Sequence, residues 1–142
     1  MEKPQVINLR RHPRCIANLK ARFPGDDEEY PVTNISYKGC FVRGNKKIPL
    51  KKLVYFEVEL PEVGVIPIYG VVAHHGTPEN PGLGIEIVDI ERDMLIVWVA
   101  YLKALFYIED AKRAYRRAVE SKKKDEEQKK AKSSKEKATE EG

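Results

Sequence analysis

The chain has 142 residues, enough for one compact domain, and its two cysteines exclude a disulfide framework. Its formal net charge of +4 is unevenly distributed: residues 1–23 carry six basic groups and one acidic group, residues 24–120 carry 12 and 15, and residues 121–142 carry eight and six. This distribution argues against a general nucleic-acid binder with a basic face along its core. It favours a local anion site built by a short N-terminal arm.

The apolar segments of the chain are short. The most apolar stretch, residues 94–108, is interrupted by Lys103 and has 15 residues, whereas a membrane-spanning helix needs about 20. The first nine residues contain two charges and a proline rather than an apolar signal segment. We therefore expect a reduced, cytoplasmic protein without a membrane span.

Residues 1–14 are expected to form a flexible basic arm, and six segments with strand signals follow it. In the first, residues 15–23, polar and apolar side chains alternate, as in a half-buried strand. The others are residues 29–35, 40–43, 54–60, 63–74 and 83–88, separated by turns rich in proline and glycine. This spacing predicts a mainly β protein, with a six-stranded antiparallel barrel over residues 15–90.

From residue 91 the apolar spacing changes to alternating steps of four and three, which predicts a long helix over residues 91–120. The seam consists of Met94, Trp98, Tyr101, Leu105, Ile108, Tyr115 and Val119. Trp98, Leu105 and Ile108 are expected either to pack on the barrel or to pair subunits. Self-association is favoured because the helix is apolar on several faces. Residues 121–142 contain no large apolar side chain and are expected to be disordered or a fraying extension of the helix.

Three arginines, Arg10, Arg11 and Arg14, precede the first strand. Pro13 disfavours a helix there, so the arginines belong to an extended arm. A guanidinium can bind phosphate oxygens or the edge of a guanine with two parallel hydrogen bonds, and its plane can stack on a purine. Taken alone, a basic run near a terminus is usually a solvated segment.

Asn34, Ser36 and Gly39 lie at a turn between the second and third strands. An amide oxygen at this position can accept a proton from a guanine base, and glycine permits either a positive φ or a close approach of backbone. Taken alone, this spacing is a common turn composition.

Together the two motifs resemble the PilZ domain family. The arm supplies an RxxxR pattern at Arg10 and Arg14, and an [Asp/Asn]-x-Ser-x-x-Gly pattern follows 20 residues later at Asn34, Ser36 and Gly39. Residues 82–87, GLGIEI, resemble the glycine-rich last strand of that family. The resemblance covers about residues 8–110.

The resemblance implies a receptor for the bacterial second messenger cyclic di-GMP, which relays its signal to a protein partner in motility, biofilm or secretion control. It implies that Arg10 and Arg14 hold guanine edges and phosphates, with Arg11 as an auxiliary contact, and that the arm closes on the ligand. Asn34, Ser36 and Gly39 would line the surface where one guanine docks. The alternative is a degenerate PilZ domain that binds no nucleotide and serves as a protein-interaction adaptor.

Other chemistries have weaker support. His12, His74, His75, Cys15 and Cys40 have none of the usual metal-ligand spacings, and structural or surface roles are expected for them. Neither cysteine has a recognisable base partner for nucleophilic catalysis, so no enzyme activity, cofactor or metal is expected. A barrel that binds single-stranded nucleic acid would need aromatic and basic residues interleaved on exposed strands, and that pattern is lacking.

Overall fold

A computed structural model describes the backbone of residues 14–141 and the side chains of residues 14–132. Arg10, Arg11 and the expected flexible arm lie outside the described residues, apart from Arg14 at its end. The described residues form six strands followed by one helix. The elements are β1 (Cys15–Arg22), β2 (Glu29–Ile35), β3 (Gly39–Arg43), β4 (Leu53–Leu60), β5 (Gly64–His75), β6 (Gly82–Asp89) and α1 (Arg92–Glu141).

The strands close into an antiparallel barrel in the order β1-β2-β3-β6-β5-β4. Closure needs the pairing of β1 with β4, which joins Lys20, Ala21 and Arg22 to Glu59, Val58 and Glu57. Alternate side chains of each strand point inward and fill the barrel, as the period of two requires. The inward set includes Leu19, Val32, Ile35, Val42, Phe56, Val58, Ile66, Ile68, Val72, Leu83 and Ile85.

Register shifts interrupt this alternation at four places among the described strands, and two of them lie beside Asn34 and His74. In β2, Val32 pairs with Val42 but Asn34 pairs with Phe41, so β2 has one residue more than β3 at that point. In β5, Val72 pairs with Ile85 but His74 pairs with Gly84, so β5 has one residue more than β6. An extra residue reverses the face to which the following side chain points.

The compact unit that contains the barrel extends to Leu105, and a second unit begins at Phe106. In the first unit, Trp98 and Leu102 of α1 are fully buried. In the second unit, α1 exposes Ile108 and Tyr115, at 50% and 71% of their surface.

The predicted fold class, a six-stranded antiparallel barrel followed by a C-terminal helix, is confirmed. In the structure α1 continues through residues 121–141. The predicted boundaries between arm, barrel, helix and tail stay predictions. Within the described part of the chain, no helix has an apolar stretch long enough to cross a bilayer.

Candidate functional site

A cleft of about 560 Å³ lies on the outer surface of the barrel, where β2, β3, β6 and β5 are neighbours. Four of the six site residues predicted from sequence line it: Arg14, Asn34, Ser36 and Gly39. The other two, Arg10 and Arg11, lie outside the described residues. The motif residues that the structure describes are therefore brought to one cleft, although their roles towards a ligand stay predictions.

The turn between β2 and β3 is held together by Ser36. Its backbone N–H donates to the carbonyl oxygen of Gly39 over 2.8 Å. Its hydroxyl Oγ lies 3.4 Å from that same oxygen and 3.4 Å from the amide nitrogen of Lys38, which donates to it. Because Ser36 is only 8% exposed and bonded within the turn, its main effect in this structure is to fix the turn.

The turn is also anchored from the inside by the helix. The indole Nε1–H of Trp98 donates to the carbonyl oxygen of Ser36 over 3.2 Å in a buried position. On the other side of the turn, the N–H of Ile87 donates to the carbonyl oxygen of Lys38 over 2.7 Å. The bond from Trp98 satisfies a buried carbonyl that would be costly to leave unpaired, and the bond from Ile87 joins the turn to β6.

Gly39 allows a close approach of two strands. A Cβ at this position would lie 3.0 Å from the carbonyl oxygen of Ile85, a tight contact with backbone. Gly39 is not among the residues with positive φ. Of the two reasons for glycine considered from the sequence, close approach is the one the structure supports.

Asn34 reaches the cleft because of the bulge in β2. Val32 and Ile35 are both buried in the barrel. Strict alternation starting from Val32 would point Asn34 inward and Ile35 outward. With the bulge, Asn34 stands between Ile16 of β1 and Phe41 of β3, half-buried at the cleft wall. Bulges often re-aim side chains in this way next to functional sites.

The described part of the cleft has mixed charge. Arg14 and Lys38 contribute cations and Glu86 contributes an anion. Burial raises the pKa of the Cys40 thiol, which also lines the cleft, to about 12. This thiol therefore remains protonated near neutral pH and is not activated as a nucleophile. Among the described residues, no cluster of three or more His, Cys, Asp or Glu side chains could hold a metal ion.

Sequence reasoning missed several cleft residues, above all Phe41 and His74, together with Lys38 and Glu86. Phe41 and His74 have nearly parallel rings, 20° apart, with centroids separated by 6.3 Å. They are 33 positions apart in sequence, and the bulge that turns His74 outward leaves no clear signal in the residue pattern. Only the register of β3, β6 and β5 brings them together.

Comparison with known proteins supports the family and the fold. The family model described as "PilZ domain" matches residues 8–104. No curated protein sequence matches the chain.

Solved structures share the barrel at low sequence identity. The chain is similar to MotI/DgrA, an inhibitor of motility from Bacillus subtilis, with a TM-score of 0.63, 19% identity, and coverage of 75% of this chain and 53% of that one. It is also similar to YcgR from Escherichia coli in complex with cyclic di-GMP, with a TM-score of 0.60, 13% identity, and coverage of 80% and 51%.

A third similar structure is MrkH from K. pneumonia in complex with cyclic di-GMP, with a TM-score of 0.60, 20% identity, and coverage of 76% and 55%. The chain thus spans about half the length of each of these three proteins.

Proposed function

Because the chain belongs to the PilZ domain family, we propose that it is a cyclic di-GMP receptor that binds its ligand in the cleft beside β2 and β3. The observation that carries this proposal is the convergence of Arg14, Asn34, Ser36 and Gly39 on one cleft. Two of the similar structures, YcgR and MrkH, were solved with cyclic di-GMP bound.

The chemistry of the cleft suits such a ligand, which has two guanine bases and two phosphates. Arg14 offers a planar fork of N–H donors to a phosphate or to the O6 and N7 edge of guanine. Asn34 offers an amide oxygen to the N1 and N2 protons of a guanine. Arg10 would bind as Arg14 does, Arg11 would add an auxiliary contact, and the arm that carries them would order on the ligand.

The proposed role is that of a binding module rather than an enzyme. The bound state would be passed to a protein partner, in the cytoplasm, in the control of motility, biofilm formation or secretion. The exposed face of α1 around Ile108 and Tyr115 is the surface we assign to self-association.

A second candidate is an adaptor that binds no nucleotide. Two observations favour it: the Ser36 hydroxyl is engaged within its own turn, and Asn34 offers a neutral amide where the motif also allows a carboxylate. A neutral amide holds guanine N–H groups less strongly than a carboxylate does.

Titration calorimetry with cyclic di-GMP separates the two candidates. The receptor proposal expects saturable binding by the parent chain. For Arg14→Ala it expects affinity about 10- to 100-fold lower, the range for a lost hydrogen bond to a charged group. Arg43→Ala is the matched control, because Arg43 is an exposed arginine on β3 that does not line the cleft. Absence of binding by the parent chain would favour the adaptor. Equal losses of affinity in Arg14→Ala and Arg43→Ala would show that Arg14 is not part of the binding site.

A further inference from the structure

Three residues on adjacent strands form a row across the floor of the cleft. Phe41 on β3 and His74 on β5 are both paired in register with Gly84 on β6, which lies between them. The row continues from Phe41 to its partner Asn34 on β2. Neighbouring strands are about 4.8 Å apart, so the row from Asn34 to His74 extends roughly 14 Å along the barrel surface.

Gly84 leaves the space that the imidazole ring occupies. A Cβ on Gly84 would lie 2.0 to 2.4 Å from three atoms of the His74 ring, so the ring lies face down on the glycine backbone. Its other face is turned away from β6, and His74 is an exposed residue.

Phe41 also contacts glycine positions, through the outer atoms of its ring. A Cβ on Gly82 would meet its ring at 2.7 and 2.8 Å, and one on Gly76 would meet it at 3.0 Å. The ring planes of Phe41 and His74 are 20° apart and their centroids are 6.3 Å apart, so the two rings form a nearly parallel aromatic pair in the cleft, which we call the aromatic floor. Of these three glycines, Gly84 is the one whose nearest Cβ contacts would all belong to an aromatic ring, whereas a Cβ on Gly76 or Gly82 would also meet backbone, the carbonyl oxygens of Asn80 at 2.2 Å and of Val42 at 2.4 Å.

We propose that Phe41 and His74 form a stacking floor for a purine base. The inference rests on the proposed function, in which Asn34 and Arg14 bind one guanine, and it assigns the second guanine of cyclic di-GMP to the His74 end of the row. Stacking on aromatic rings suits a base because every nucleobase has a flat π-face. A row of roughly 14 Å gives two bases separate positions on one surface.

The first test is the affinity of the full chain for cyclic di-GMP after substitution of His74, an exposed residue whose replacement leaves the core intact. His74→Ala should lower the affinity about 5- to 100-fold, the range for one stacked base. His74→Phe should restore it and His74→Lys should not, because the ring rather than the charge is required. Unchanged affinity in His74→Ala, or rescue by Lys but not by Phe, would overturn the proposal. Tyr69→Ala is the control, an exposed aromatic on the same strand outside the cleft.

The second test uses Gly84→Ala, which should displace the imidazole ring and lower affinity as His74→Ala does. In the His74→Ala background the same change should have little further effect, because Gly84 acts through the ring. If the affinity losses of the two substitutions were additive, Gly84 would act on the strand backbone independently of the His74 ring. That result would contradict the proposed aromatic floor.

A third test does not depend on binding of the cyclic ligand. GMP at millimolar concentration should shift the NMR signals of the His74 ring protons upfield, through the ring current of a stacked base. If the parent chain does not bind cyclic di-GMP but GMP produces this shift, the proposed function fails and the floor stands. If cyclic di-GMP binds and neither nucleotide shifts the ring protons, the floor fails and the proposed function stands.

Discussion

At the scale of single residues, the carboxylate of Asp26 joins two loops of the barrel. It accepts a hydrogen bond from the ammonium group of Lys46 over 2.7 Å and one from the hydroxyl of Tyr30 over 2.6 Å. The Lys46 ammonium also lies 5.1 Å from the centroid of the Phe23 ring. The hydrogen bonds from Lys46, then Tyr30, then the backbone of Glu28 hold the pKa of the Asp26 carboxyl well below its usual range.

This shift predicts an acid-dependent loss of stability. A carboxyl with a depressed pKa in the folded state stabilises it above the unfolded pKa of about 3.9, and that contribution is lost as the pH falls through lower values. The free energy of unfolding of the parent chain should therefore fall between about pH 5 and pH 2. In Asp26→Asn that fall should be smaller. Urea denaturation at a series of pH values measures it.

The matched control is Asp27→Asn. Asp27 is an exposed carboxyl next in sequence and takes no part in these hydrogen bonds. Its substitution should leave the pH dependence of the parent chain unchanged. If the free energy of unfolding depended on pH equally in Asp26→Asn and in the parent chain, the hydrogen bonds to Asp26 would contribute nothing to acid stability. The hydrogen bond to Asp26 also raises the pKa of Tyr30 to about 12, so its hydroxyl remains a donor to a higher pH than that of an ordinary tyrosine.

Single residues also show where sequence reasoning succeeds. Asn34, Ser36 and Gly39 lie within six positions of one another, so a local pattern predicts their turn. His74 is 40 positions from Asn34 and shares the cleft with it only because bulges in β2 and β5 place both side chains outside the barrel. A bulge inserts one residue against the period of two, and the sequence gives no independent sign of it. The aromatic floor was therefore beyond prediction.

At the scale of elements, strand ends were predictable because they coincide with proline and glycine turns. β2 has the predicted bounds, and the other strands end within a residue of theirs. The pairing of β1 with β4 and the position of β6 between β3 and β5 depend on long-range register rather than on any local pattern.

The link between the helix and the cleft leads to a prediction for α1. Trp98→Phe removes the donor to the Ser36 carbonyl, and a buried unpaired carbonyl costs about 1–3 kcal/mol of unfolding free energy. The turn that carries Asn34 and Gly39 then loses its inner anchor. We expect the affinity for cyclic di-GMP to fall by about 5-fold or more, a typical coupling between two linked sites. Calorimetry and urea denaturation measure the two effects.

Leu102→Ala is the control for Trp98→Phe. Leu102 is fully buried one turn further along α1, and its truncation should lower the unfolding free energy by about 2–5 kcal/mol. It removes no bond to the turn, so ligand affinity should change little at a temperature where the chain is folded. Similar affinity losses in both variants would mean that the helix affects the cleft only through general stability.

At the scale of the whole molecule, the apolar seam of α1 divides between the two compact units. In the unit that ends at Leu105, Trp98 is buried, as expected for packing in the domain. In the unit that begins at Phe106, Ile108 and Tyr115 remain exposed although they continue the same seam. The apolar spacing correctly predicted a helix. It did not predict where along the helix the seam residues change from buried to exposed, because that point depends on the extent of the barrel core.

This exposed face predicts self-association through α1. Light scattering at high protein concentration should give a mass above that of the 16.3 kDa monomer. The double variant Ile108→Glu/Tyr115→Glu should be monomeric, because it places charges on both exposed seam positions. Tyr107→Glu is the control, since Tyr107 is equally exposed but outside the seam. A monomeric mass for the parent chain would refute the prediction.

The binding of cyclic di-GMP in the cleft is tested most directly by NMR titration of the ¹⁵N-labelled full chain. We predict saturable shifts of the backbone amides of Asn34, Ser36, Gly39, Phe41 and His74, which line the cleft from β2, the turn that follows it, β3 and β5. The amides of Val65 and Tyr69, on β5 outside the cleft, should stay in place. A spectrum that does not change at saturating ligand, or shifts confined to residues outside the cleft, would contradict the binding of cyclic di-GMP in the cleft.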